Sequence, residues 1–102
     1  MAKRPPPPDE IDAIFAGEPI EAMEAAKRLI HRHTATQLEV LIVIAGNKTL
    51  PIWSRIAAIY TLGFIDEDAN SATVLRRIRY DLTERPEIRD HAAEALDQIA
   101  EC

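Results

Sequence analysis

An all-α fold of six helices arranged as three pairs is the architecture predicted by this chain of 102 residues, and three observations carry the prediction. A helix pattern rich in alanine, leucine and isoleucine recurs: Ala25 to Leu29, then Arg55, Ala58, Leu62 and Ile65, then Arg89, Ala92, Leu96 and Ile99. The last two copies superpose at a constant offset of 34, and periods of roughly 30 to 50 residues mark solenoids, in which no single unit buries its apolar face alone. Each copy also opens near a proline, Pro19, Pro51 or Pro86, a residue that the first helical turn accepts. Finally, aromatic residues are 5% of a chain that is 47% apolar, a balance that favours helix packing over a sandwich.

Residues 1–8 predict a disordered Pro-rich tail, because Pro5 to Pro8 favour extended geometry and supply no backbone donors. Residues 9–102 then make a single domain, large enough for a core but too short for two. Asp9 is a good N-cap for a first helix whose stripe is Ile11, Ile14 and Phe15, ended by Gly17. A second helix starts at Pro19 and runs to about Arg32, with Ala22, Met23, Ala25, Ala26, Leu29 and Ile30 on one face and a Glu24–Arg28 pair on the other.

Thr34 followed by Gln37 is a capping-box pattern ahead of an apolar run from Leu38 to Ala45. That run is rich in β-branched residues, yet a lone strand among helices would leave its backbone unpaired, so a third helix is expected. The fourth helix, Pro51 to about Phe64, is apolar nearly all round, with only Ser54 and Thr61 as a narrow polar strip, and so belongs at the centre. Asp66, Glu67, Asp68, Asn70 and Ser71 form a loop and cap before a fifth helix with Val74, Leu75, Ile78 and Leu82 as its buried stripe. The sixth, Pro86 to about Ala100, buries Ile88, Ala92, Ala95, Leu96 and Ile99.

The segments from Pro51 to Gly63 and from Pro86 to Leu96 resemble the second helix of HEAT-like repeats of the bilin lyase type. The resemblance implies a short right-handed α-solenoid of three HEAT-like helix pairs, whose second helices line a concave face used mostly for binding proteins. Arg55 and Arg89 match the family's arginine, which typically pairs with an aspartate of a neighbouring unit. Ala22 takes that position in the first copy, and no aspartate lies close before Arg55.

A net charge of −5 sets the overall field against a nucleic-acid backbone or an anionic membrane. The one cysteine, Cys102, permits no disulfide within the chain and at most one thiolate ligand, which suits a reducing cytoplasm. Met1 to Arg4 lead into prolines rather than an apolar stretch, unlike a signal peptide, and the run from Val40 to Gly46 is far short of the roughly 20 residues of a membrane helix. No glycine-rich phosphate loop, nucleophile elbow or paired cysteine motif appears. Neither an enzyme nor a cofactor is expected.

Candidate binding residues are the arginines and one tyrosine: Arg55, Arg89, and the cluster Arg76, Arg77, Arg79 with Tyr80. An arginine beside an aromatic ring grips a carboxylate on a protein, or a phosphate and base, while a solvated face balancing nearby acids is the plainer alternative. A second candidate is the acidic stripe Glu87, Asp90, Glu94, Asp97 and Glu101 on the last helix, a solvated cap or a dock for a basic partner. His31 and His33 are two apart and diverge on a helix, and His91 is remote, so a metal site is not expected. Trp53 is expected to pack rather than to anchor a partner. A protein-protein interaction module or adaptor, self-association included, is therefore the expected function. A tetrapyrrole-holding accessory of a cofactor enzyme and nucleic-acid binding through Arg76 to Arg79 are the alternatives.

Overall fold

The computed structural model describes residues 10–65 and 69–100, and among them the chain forms six helices and no strand. These are α1 Glu10–Ala16, α2 Pro19–His31, α3 Ala35–Gly46, α4 Ile52–Gly63, α5 Ala69–Tyr80 and α6 Pro86–Ala100. The proline-rich tail, the Asp9 cap, the acids Asp66 to Asp68, and Glu101 with Cys102 lie outside the described residues.

Helix boundaries follow local chemistry. Gly17 ends α1 with φ of 77°, a left-handed turn, and a side chain there would also meet Pro51 Cβ at 2.7 Å. Pro19 and Pro86 are the first residues of α2 and α6, where a missing N–H costs nothing. The capping box of α3 is formed in full: Thr34 Oγ1 accepts from Gln37 N at 3.1 Å and Gln37 Oε1 accepts from Thr34 N at 2.9 Å. His33 Nδ1 sits 3.0 Å from Leu29 O, satisfying a carbonyl in the last turn of α2.

The period is visible in three dimensions. Helix α5 begins and ends 34 residues after α3, and α6 begins 34 residues after α4. The linking turns repeat too. Asn47 Oδ1 accepts from the backbone N and hydroxyl of Thr49 at 3.0 and 2.7 Å, and Asp81 Oδ1 accepts from those of Thr83 at 2.9 and 2.6 Å.

Helix α4 is the hub. It packs against every other helix, with α2, α3 and α6 as its main neighbours, while α1 packs chiefly on α2 and α5 on α6. Leu29, Leu41, Ile59, Leu62, Leu75 and Ile88 are fully buried around it. Gly63 lets α6 approach closely, since a Cβ there would stand 2.8 Å from Ala95 Cα.

Several expectations are corrected. Ser54 and Thr61 form no polar strip: both are fully buried, because each hydroxyl donates to a carbonyl, Phe15 O at 3.0 Å and Ala57 O at 2.9 Å. Leu82 is not on the buried stripe of α5 but 85% exposed, because the helix stops at Tyr80 and the Asp81–Thr83 turn carries the chain away. Arg28 pairs with Glu10 at 3.2 Å rather than with Glu24. Trp53 is partly open to solvent at 37% exposure.

Candidate functional site

The arginine pattern splits into buried and exposed groups. Arg55, the fourth residue of α4, is buried and spends four of its five N–H groups inside the fold. Its Nη1 and Nη2 donate to Glu84 Oε1 and Oε2 at 2.7 and 2.6 Å, a bidentate pair. Its Nε and Nη2 also donate to Ala45 O, in the last turn of α3, at 3.1 and 3.0 Å. One guanidinium therefore ties α3, α4 and the turn before α6 together. Arg55 is thereby 3% exposed, with its guanidinium engaged within the fold.

Those hydrogen bonds hold the Glu84 carboxyl below the ordinary glutamate range, outweighing the burial that pushes it up. Beside it, Lys48 Nζ meets Asp81 Oδ2 at 2.9 Å and donates to Thr83 Oγ1 at 2.5 Å. The Asp81 carboxyl is held far below its usual range, first by Lys48 and then by Thr83. Two successive turns are thus stitched by one ion pair and one hydrogen bond.

Glu84, Lys48 and Asp81 were not among the expected site residues. The available signal was the repeat itself: Glu84 stands at the entry to the unit after Arg55, on the far side from where an aspartate was sought.

Arg89 is the fourth residue of α6, as Arg55 is of α4, yet its Nε is buried without a hydrogen-bond partner. Among the described residues it lacks the carboxylate that Arg55 has in Glu84.

Arg76, Arg77, Arg79 and Tyr80 are all exposed on α5. The Arg79 guanidinium carbon lies 5.3 Å from the centroid of the Tyr80 ring, a cation–π contact that holds the side chain against the ring face. Across a groove of about 370 Å³, Arg76, Arg79 and Tyr80 face Leu96, Asp97 and Ile99 of α6. Glu87, Asp90, Glu94 and Asp97 are exposed along α6. Arg76 and Arg79 of the basic cluster and Asp97 of the acidic stripe are therefore neighbours across that groove, while Arg77 lines a second groove towards α3.

A smaller apolar depression of about 90 Å³ lies between Tyr60 and Phe64 of the α4 end and His91 and Ala95 of α6. Among the described residues, no group of three or more His, Cys, Asp or Glu side chains is placed to hold a metal ion, and no helix is long and apolar enough to cross a membrane. Compared with known proteins, the chain matches no family model, no curated protein and no solved structure.

Proposed function

We propose that this chain is a minimal right-handed stack of three HEAT-like helix pairs that works as a non-enzymatic protein-binding adaptor in the cytoplasm. The 34-residue recurrence of helix bounds and turns supports the stack, and the Arg55 clamp supplies a link between successive pairs. The observation that carries the binding role is the exposed Arg76, Arg77 and Arg79 with Tyr80 on a helix fixed by the core. Guanidinium forks mounted this way match carboxylates geometrically, and arginine and tyrosine are enriched where partners are held.

The depression beside Tyr60, at about 90 Å³, is well below the roughly 300–1,000 Å³ typical of ligand pockets, so Tyr60 does not support tetrapyrrole holding. The test is affinity capture from the native host with the wild-type chain and with Arg76→Ala, Arg77→Ala and Arg79→Ala combined. Proteins retained by the first and lost by the second support the adaptor. Identical recovery with both would remove this surface from consideration, and salt-sensitive retention of nucleic acid alone would replace the protein partner.

A further inference from the structure

We infer that the exposed aromatic stripe of α4 is the docking site of the chain's own proline-rich segment: Pro5 to Pro8 lie on Tyr60 and Phe64, and Lys3 and Arg4 reach the acids of α6. This face is distinct from the one carrying Arg76, Arg77 and Arg79, so the inference stands or falls apart from the adaptor reading.

Helix α4 lies between α2 and α6, which do not touch one another. Its residues Trp53, Tyr60 and Phe64, seven and then four apart, share one stripe. Trp53 and Phe64 are 37% and 41% exposed. The corresponding stripe of α6, 34 residues on, carries Glu87, Glu94 and Gln98, so the aromatic character belongs to the middle helix. The rings of Tyr60 and Phe64 are tilted by 55° with centroids 5.0 Å apart, and they wall a depression of about 90 Å³ that His91, Glu94 and Gln98 close on the α6 side. That space admits one small side chain. Paired aromatic walls are what a polyproline segment docks on, since its prolines have little backbone freedom left to lose.

Reach and charge order point to the segment ahead of α1. Glu10, the first described residue after it, pairs with Arg28 at 3.2 Å and lines one groove with His31 and Arg32 at the end of α2. Packed helices stand about 8–10 Å apart, which puts α4 about 10 Å and α6 about 20 Å from α2. A polyproline chain rises about 3.1 Å per residue, so from Glu10 the prolines span about 6–16 Å and the two cations about 19–22 Å. The prolines therefore fall over α4 and the cations over α6, where Asp90 and Glu94 are exposed four residues apart.

The charges agree along the whole path. Read back from α1, the segment runs acid, prolines, bases: Asp9, then Pro8 to Pro5, then Arg4 and Lys3. The surface runs bases, aromatics, acids: His31 and Arg32, then Tyr60 and Phe64, then Glu94 and Asp90. Because the segment is joined to α1 at one end, only this direction is open to it. Tethering also supplies an effective concentration of about millimolar, enough to fill a weak site.

Nuclear Overhauser spectroscopy on the full chain, labelled with 13C and 15N and held at low ionic strength, tests this. Circular dichroism melts confirm that every variant folds. Ring protons of Pro5 to Pro8 should show cross-peaks to the rings of Tyr60 and Phe64. Lys3→Glu with Arg4→Glu should abolish them, Glu94→Lys with Asp90→Lys should do the same, and the four changes together should restore them. Absence of these cross-peaks in the wild type, or their survival in either charge-reversed variant, would overturn the inference. So would cross-peaks seen only between labelled and unlabelled chains in a mixed sample, because the occupant would then be the segment of a second copy.

Discussion

Replacing Glu84 by glutamine tests the Arg55 clamp with almost no change of shape. The substitution removes the charge, keeps one acceptor oxygen and turns an NH2 group towards a guanidinium that had donated to both carboxylate oxygens at 2.7 and 2.6 Å. Arg55 is 3% exposed, so water cannot take over the lost interaction. Removing one partner of a buried ion pair costs about 3–5 kcal/mol, against a total stability of about 5–15 kcal/mol for a domain. In a chain of this length the melting temperature should fall by at least about 12 °C, from roughly 4 °C per kcal/mol. Urea titration of Glu84→Gln is set beside a cycle of Arg55→Met, Glu84→Leu and the two combined. The double variant should be less damaged than either single one, losing about 1–3 kcal/mol because Ala45 O is left without its donors. A loss below about 1 kcal/mol for Glu84→Gln, the scale of an exposed pair, would refute the clamp. Acid adds a second arm. The Glu84 pKa is lowered from 4.5, so its stabilisation is fully present above that unfolded value and is lost as pH falls through the lower folded one. Wild type should therefore lose its advantage over Glu84→Gln across that interval.

Three further outcomes follow from the same structure. Gly63→Ala should cost about 1–3 kcal/mol by overpacking, because its methyl would stand 2.8 Å from the Ala95 backbone, whereas Gly46→Ala, with nothing within 4 Å, should gain about 0.5 kcal/mol of helix propensity; equal effects in urea titration would refute the close approach of α4 and α6. Thr34→Ala should lose about 0.5–2 kcal/mol with the capping box, and unchanged amide exchange at Gln37 would count against that cap. Arg89→Met should leave the monomer's stability unchanged or raise it by up to about 1 kcal/mol, since it removes a buried N–H that has no partner; a loss as large as that of Arg55→Met would show that Arg89 is already satisfied in solution.

The helices were legible because their causes are local. Proline in a first turn, the Thr34–Gln37 box and apolar residues three and four apart all act within a few residues, and each appears where expected. The clamp was not legible in the same way. Glu84 is 29 residues from Arg55 and sits in a turn, outside any helical period, so only its place relative to the next unit points to it. Ser54 and Thr61 misled for a different physical reason. A hydroxyl is small enough to be buried once a carbonyl accepts from it, and Thr61 uses one on its own helix. Leu82 misled because the stripe was continued past a helix end that the Asp81–Thr83 turn had already set.

The positions that depart from the repeat also show that its junctions are held by different chemistry. At the first junction Ala22 replaces the arginine, and α2 meets α4 through small buried residues, while Ser54 ties α4 to α1 by donating to Phe15 O. At the second, α4 meets α6 through the Arg55–Glu84 pair and the bare backbone of Gly63. An apolar junction is indifferent to pH, whereas a buried pair depends on its carboxylate staying ionised. Burying an ion pair adds little net stability over an apolar contact of the same shape. What it adds is register: a bidentate fork accepts one carboxylate in one orientation, so Glu84 fixes how the α5–α6 pair sits on α4. Arg89 repeats that position on α6, where its Nε is buried without a hydrogen-bond partner among the described residues.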